Sequence, residues 1–589
     1  MANESFANTL VVTVNGQPLA ADVKPMLSTA YVDDSLNLPD TFVLRFRDPG
    51  GVALAKGGFT VGTPIELKVQ TADPGGPQPL LTGEITAVGV DLDVTGTYAE
   101  VRGYDHAHRL FRGTRVAVYP DMTVADVVRR VATRAGLTAG TIDDVSGYGG
   151  APNTQFSQNN ISDWDFLSRL ADAVGAQVAV VEKKLNFRLP DKPSGAPATN
   201  AKATTNPLVL EAHRNLVALR ATVTAAEQVP EVEVRGWDFQ QKQAVSATAK
   251  PRPAGTEAAG ADPTGLAAKF KAPPLVGVTA RGTDAAAKAV AEALAADLGG
   301  ACAELAGVAK GNPKLRAGTQ VALANVGEPF TGKYTLTGTR HLFSDEAGYT
   351  TEFTVSGRQE RSFYGLAAGG GTDTDHSGLV TGIVSDVKDP AKLGRVKLAF
   401  PWLGKDYTSG WARMTQSGAG RNRGAVVLPE VGDEVLVGFE HGDFDAPFVL
   451  GCLHNGQDVP PAFAKPVLDG GSGEVAVRGF VSRKGHRVEF VEADGITIAS
   501  GDGKFVVRLD QANQVIEITS GKAVTVKAAN GVKVDAGQGA LELSGQSVSV
   551  KAVADVAVQG MTVSVKGQTQ AELSASGAVV VSGGVVRIN

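Results

Sequence analysis

The last seventy or so residues of the chain are a string of alternating valines. The text runs AVTVKAAN, GVKVDAGQ, GALELSGQ, SVSVKAVA, DVAVQG and TVSVKGQ. Equivalent apolar positions are Ile516, Val524, Val532, Leu541, Val548, Val556, Val563, Ala571 and Val579, separated by 8, 8, 9, 7, 8, 7, 8 and 8 residues. Each has a partner two residues on, as in Val524 with Val526, Val532 with Val534 and Val548 with Val550. One face of a strand therefore turns inward, while Thr, Lys, Ser, Asp, Glu and Gln take the other. Gly521, Gly531, Gly537, Gly539, Gly545, Gly560 and Gly567 supply corners. A helical-pair or propeller repeat needs roughly 30 to 50 residues, so this period predicts a β-helix. One strand per repeat, with slim side chains, cannot close a core alone and leaves bare strand edges. Single-chain solenoids also need longer coils and a cap. Three intertwined chains solve both difficulties. The expectation is a trimeric β-helix (a β-prism) over 482–589, with Ile516, Val524, Val532, Leu541, Val548, Val556, Val563 and Val579 as its interior.

Upstream the pattern changes. LVVTVNG, TFVLRFRDPGG and PIELKVQ in the first hundred residues are short strands stopped by Gly, Pro, Asn or Asp. TVADVVRRVATRAGL has Val124, Val127, Val128 and Val131 at helical spacing, with Thr123 as N-cap and Gly136 as a stop. SDWDFLSRLADAVGA repeats the device, with Ser162 and Asp165 as a capping box and Leu167, Leu170, Ala171 and Val174 as the buried stripe. A third helix is predicted over about 284–298. LAAGGGTDTDHSG (366–378) has no periodicity and reads as a linker. LVTGIVSDV, GRVKLAF, WARMTQ, GAVVLPEVGDEVLVGFE and FVLGCLHNG then predict a small five-stranded barrel of OB type over 379–456. A second linker over 457–481 leads to the valine repeats. The fold class expected is mainly β with minor α: β-barrels with inserted helices over 1–365, an OB-fold, and the C-terminal prism.

Composition sharpens this picture. At 589 residues the chain exceeds one hydrophobic core. It has 71 glycines and only 6% aromatic residues, which fits turns and tightly packed strands. A net charge of −6 gives no reason to expect a nucleic-acid or acidic-lipid partner. Two cysteines, Cys302 and Cys452, exclude a disulfide scaffold or a cysteine-rich metal site. No secretory leader is expected at MANESFANTLVVTV, and no stretch reaches the ~18 apolar residues of a membrane helix. The chain is expected to be made in the cytoplasm.

Candidate chemistry is thin. His106 and His108, beside Asp105, are half a metal site or a base with its orienting acid, but no third ligand lies nearby in sequence. Glu434, Glu440, His441 and Asp443 carry paired carboxylates of the kind glycosidases use, yet on a small barrel alternation sends them to solvent or a subunit contact. Asp163 and Asp165 suit a helix start. GGGTDTD and Gly501–Asp502–Gly503 lack the strand and helix of a phosphate loop. Trp402, Tyr407 and Trp411 sit among acids, which disfavours single-strand nucleic-acid binding by the barrel. No catalytic site, cofactor or metal is expected.

Several strings resemble the VgrG-type spike proteins and phage tail-hub proteins of contractile injection systems. GYDHAHRLFR (103–112), QNNISDWDFLSRLADAVGAQ (158–177) and VRGWDFQQK (234–242) are similar to the hub half. LVTGIVSDVKDPAKLGRVKLAFPWL (379–403) and LPEVGDEVLVGFEHGDFDAPFVLGCLHNG (428–456) resemble the baseplate-spike OB-fold, and SRKGHRVEFVEADG (482–495) the start of the needle. The resemblance implies a homotrimer at the centre of a baseplate, joined to inner-tube and hub proteins, with a membrane-piercing needle usually tipped by a PAAR-repeat protein. Val585, Val586, Arg587, Ile588 and Asn589 leave a blunt apolar end with unpaired edges, a seat for such a tip. About 25 residues separate Gly456 from Ser482, too few for the lysozyme domain some phage spikes carry, and no C-terminal effector is expected. The resemblance therefore implies a bare structural spike, of the phage-like extracellular type, assembled in the cytoplasm into a particle. A spike-borne cell-wall hydrolase and a trimeric fibre or adhesin are the other readings the pattern admits.

Overall fold

The computed structural model describes residues 8–71, 76–145, 147–149, 154–346, 348–357 and 378–588. Most of the expected linker 366–378 lies outside the described residues, as does Asn589. The chain divides into two units, Met1–Pro460 and Pro461–Asn589.

The first unit is built on an 11-stranded antiparallel sheet. Its N-terminal strands alternate strictly. In Thr41–Arg47 the buried residues are Phe42, Leu44 and Phe46, and in Pro64–Gln70 they are Ile65, Leu67 and Val69. These six share one core with Val12, Val32 and Val101. The sheet joins regions far apart in sequence. Gly338–Ser344 pairs with Leu27–Ser35 in antiparallel register, Phe343 facing Ala30. Arg340 clamps this ladder through two bonds to Asp33, at 2.5 and 2.8 Å.

Among the described residues five α-helices decorate the sheets: α1 (Val52–Lys56), α2 (Val124–Arg134), α3 (Asp163–Val174), α4 (Pro263–Lys269) and α5 (Asp284–Gly300). The Thr123 side chain accepts the Asp126 N–H at 3.2 Å, and the Ser162 side chain accepts that of Asp165 at 3.0 Å. The expected stripes of α2 and α3 are buried in one core, which also takes Trp164, Phe166 and Phe187. Gly175 ends α3 at φ +71°, a conformation that favours glycine. Helix α5 buries Ala287, Ala291 and Ala295 against Val232 and Val234, the small residues allowing close approach to the sheet.

Residues 380–452 form a five-stranded sheet in the order Lys397–Ala399, Val380–Asp386, Glu434–Phe439, Pro447–Cys452, Arg413–Met414. Phe400, Val384, Leu398, Val435, Val437 and Val449 fill it. This is the small barrel that the alternation upstream of residue 456 predicts. GAVVL at 424–428 contributes no long strand: only Arg423–Gly424 pairs, in a short hairpin.

The second unit differs from the expectation of one uniform prism from 482. Val477–Val481, Arg487–Val491, Gly495–Ala499, Phe505–Asp510 and Val515–Ser520 form a five-stranded antiparallel meander, each strand bonded to the next within one chain. Ile516 lies in its last strand, opposite Leu509. The solitary repeat therefore begins at Gly521. From 521 to 588 no residue is in a helix or strand, and every one is exposed.

Replacing Ser162 with Ala should remove the α3 cap at a cost of about 1 kcal/mol. The hub transition should fall by about 2–4 °C in scanning calorimetry, and Ser162→Thr should largely restore it.

Candidate assembly surface

A β-strand segment without partners keeps its side-chain alternation but not its shelter, and residues 521–588 show this directly. Val524, Val532, Leu541, Val548, Val556, Val563 and Val579 are each 48–59% exposed. Their partners two residues on, from Val526 to Val581, are each 67–75% exposed. The eight-residue period of the sequence thus reappears as a repeating environment. Covering one such valine fully contributes about 1.5–3 kcal/mol. A row of them is a large apolar surface that one chain leaves bare.

The row continues to the end of the described chain. Val586 stands seven residues after Val579 and has the same exposure, 48%, with Ile588 two residues on. Val586 and Ile588 therefore continue the spacing of the row, whereas Val585 and Arg587 alternate with it. Of the five residues expected at the tip, two share the periodicity of the shaft.

The meander adds a surface that the sequence reasoning missed. In register, Phe480, Val488, Ile498, Val507 and Ile518 form one cross-strand row, and Phe490, Ile496, Leu509 and Ile516 the next. Both rows lie on one sheet face, and Phe480, Ile516 and Ile518 are exposed on it. The opposite face is mixed, with Glu489, Thr497, Arg508 and Glu517 aligned in register beside the buried Val477, Val491 and Ala499. The signal lay in the turn text ADG, GDG and DQANQ, which punctuates 490–515 at hairpin rather than octad spacing.

Two members of the histidine constellation, Asp105 and His108, have local hydrogen-bond partners. Asp105 accepts the Ala107 N–H at 3.0 Å and caps the 3-10 turn His106–Phe111. His108 Nε2 bonds Glu84 Oε2 at 2.8 Å, and the Arg109 guanidinium bonds the other oxygen. Burial would raise the Glu84 carboxyl, but Arg109 and His108 overcome this and hold it at about 2. The acids of the barrel have ordinary partners too. Glu434 accepts from Asn455 at 2.6 Å, and Asp443 accepts the Asp445 N–H at 2.9 Å. Asp163 is buried and takes Arg134 at 2.5 Å and Gln158 at 2.8 Å, a core network rather than a helix-end contact alone. Trp402 donates to the Thr381 carbonyl at 2.9 Å, and Trp411 carries Lys397 over its ring at 5.2 Å. Among the described residues no group of three or more His, Cys, Asp or Glu is placed to hold a metal ion. Nor is any described helix long and apolar enough to cross a membrane.

Residues 380–454 match the family of the type VI secretion system/phage-baseplate injector OB domain. A second family, the Alg8 N-terminal domain, matches residues 59–345. The chain is 37% identical over 129 residues to the type VI secretion system spike protein VgrG5 of Pseudomonas aeruginosa, a stretch covering 20% of this chain and 16% of that protein. It is 39% identical over 72 residues to the actin cross-linking toxin VgrG1 of Vibrio cholerae, 12% of this chain and 7% of that one. The match thus spans less than a fifth of these relatives. Among solved structures, the E. coli c3393 protein, a component of the type VI secretion system, aligns with 75% of this chain and 99% of its own, at 16% identity and a TM-score of 0.44. The Francisella PdpA–VgrG complex aligns with 88% of this chain and 89% of its own, at 8% identity and a TM-score of 0.46. The injector OB domain and the VgrG relatives support a VgrG-type spike protein.

Glu84 gives a pH-dependent prediction. Its depressed carboxyl contributes stability that is present above pH 4.5 and is lost as pH falls toward 2. Glu84→Gln should lower hub stability at neutral pH by about 3 kcal/mol, since Arg109 loses its charge partner. Acid unfolding followed by circular dichroism should be steeper between pH 4.5 and 2 in the unmodified protein than in the variant.

Proposed function

We propose that this chain is the structural central spike of a contractile injection system. In this reading three copies stand at the baseplate centre. The hub-like sheets of residues 1–365 meet the inner tube, the OB barrel sits among baseplate proteins, and residues 521–588 wind with two partners into a needle. The observation that carries the reading is the bare valine row of 521–588 following an injector-type OB domain. Winding three such segments together covers the valines and pairs the open backbone edges, with no further domain required.

The reading is mechanical and involves no bond chemistry. A needle under axial load must resist buckling. Cross-chain ladders offer many backbone hydrogen bonds, each worth roughly 0.5–1.5 kcal/mol net, that must break together before the shaft frays. Small outward side chains keep it slim enough to pierce a membrane transiently. In this reading residues 585–589 contact a PAAR-repeat tip protein. The chain is made in the cytoplasm and assembled there into the particle.

Light scattering of the full chain should give the mass of a trimer. Val548→Asp with Val556→Asp places a buried unpaired charge in each of three chains, at about 2 kcal/mol or more apiece, and should abolish or strongly destabilise that trimer. Lys551→Ser, on the other face of the same repeat, should leave it intact. A monomer at micromolar concentration, or an unperturbed double aspartate variant, would overturn the reading. Deleting 583–589 should end capture of the tip protein and preserve the trimer.

A further inference from the structure

Within the first unit, the OB barrel rests on the hub strands Arg115–Pro120 and Gln155–Ile161. Val116 and Val118 pack against the barrel core. Gln155 donates to the Thr408 carbonyl at 3.2 Å, and the Ser157 hydroxyl meets the Tyr407 hydroxyl at 3.1 Å. Asp445 reaches into this joint from the barrel. Its Oδ2 accepts the Ser157 N–H at 3.3 Å and lies 3.6 Å from the Arg281 guanidinium. Arg281 comes from the hub, just before α5, and lies over the adjoining rings of Tyr148 at 4.7 Å and Phe156 at 4.6 Å. Both charged side chains are only 16% exposed. Asp445 Oδ1 and Arg281 Nε are buried and have no hydrogen-bond partner among the described residues.

Charge does not balance here. Asp443 and Asp445 face the joint from the barrel, and Arg281 is the cation facing them, with Tyr148 and Tyr407 the other titratable groups. Two ionised carboxylates against one guanidinium leave a net negative charge in a poorly solvated interface, where an uncompensated charge is costly. One proton removes it.

We propose that Asp445 is a proton-operated latch between hub and OB barrel, closed when the carboxyl carries its proton and loosened when it ionises. Burial first, and Asp443 second, push its carboxyl up to about 7, against the opposing pull of Arg281 and the bonds to Ser157. A group raised in the closed state adds stability below its ordinary value of 3.8, and that stability is lost as pH rises through about 7. The opening equilibrium should therefore rise about tenfold from pH 6 to pH 8. The latch does not depend on the spike reading, since every group in it belongs to one chain.

Hydrogen exchange on the full-length protein tests it, reading backbone amides of 155–161 and 447–452 with intrinsic rates corrected for pH. The unmodified protein should open about tenfold more at pH 8 than at pH 6. Asp445→Asn keeps an oxygen for the Ser157 N–H but cannot ionise, and should show no such rise. Asp443→Asn should move the midpoint to lower pH and shrink the rise between pH 6 and pH 8. An equal rise in Asp445→Asn, or no rise in the unmodified protein, overturns the proposal. Should Asp445→Asn fail to fold, an unmoved midpoint in Asp443→Asn overturns it equally.

Discussion

A segment that alternates valines with polar residues and pairs its backbone with nothing gains neither apolar burial nor a hydrogen-bond ladder, and residues 521–588 are in that position. Every residue there is exposed in one chain. Apolar burial and backbone pairing, which elsewhere come from neighbouring strands, would come from other chains in the proposed trimer. The upstream architecture follows from that demand. The meander of 477–520 satisfies its own backbone ladder yet still turns one apolar face outward. The OB barrel and hub, by contrast, close their cores internally around Phe400 and around Phe42, Leu44 and Phe46.

Sequence periodicity was most readable where one residue type repeats at one spacing. The octads, the capped helices α2 and α3, and the alternating strands of the first hundred residues all announce themselves through neighbours on the chain, because each element's pattern is set by local geometry. Ile516 shows the limit. By spacing it belongs to the octads, but the turn at 511–514 folds it back against Leu509. A strand of a meander and a strand of a coil carry the same alternation, and only the turns tell them apart.

Long-range electrostatics left no trace in the text. Ser157, Arg281, Tyr407 and Asp445 meet at one joint from four distant stretches. Nothing about an aspartate in GDFDAPF marks it as one with a guanidinium facing it across an interface. The same holds for Glu84, whose link to His108 and Arg109 explains a histidine pair that on spacing alone resembled half a metal site. Chemistry-bearing residues in this chain act mostly as fasteners, and fasteners are visible only after folding.

The ladder between Leu27–Ser35 and Gly338–Ser344 has a temporal side. The first strand leaves the ribosome some 300 residues before its partner, which at 5–20 residues per second is a delay on the order of 15–60 s. During that interval one edge of a hydrophobic sheet is open, in a form that invites pairing with another chain. Sheets closed by distant strands also fold slowly. The nascent chain thus carries an N-terminal sheet edge that must avoid other copies, and translation speed decides how long that exposure lasts.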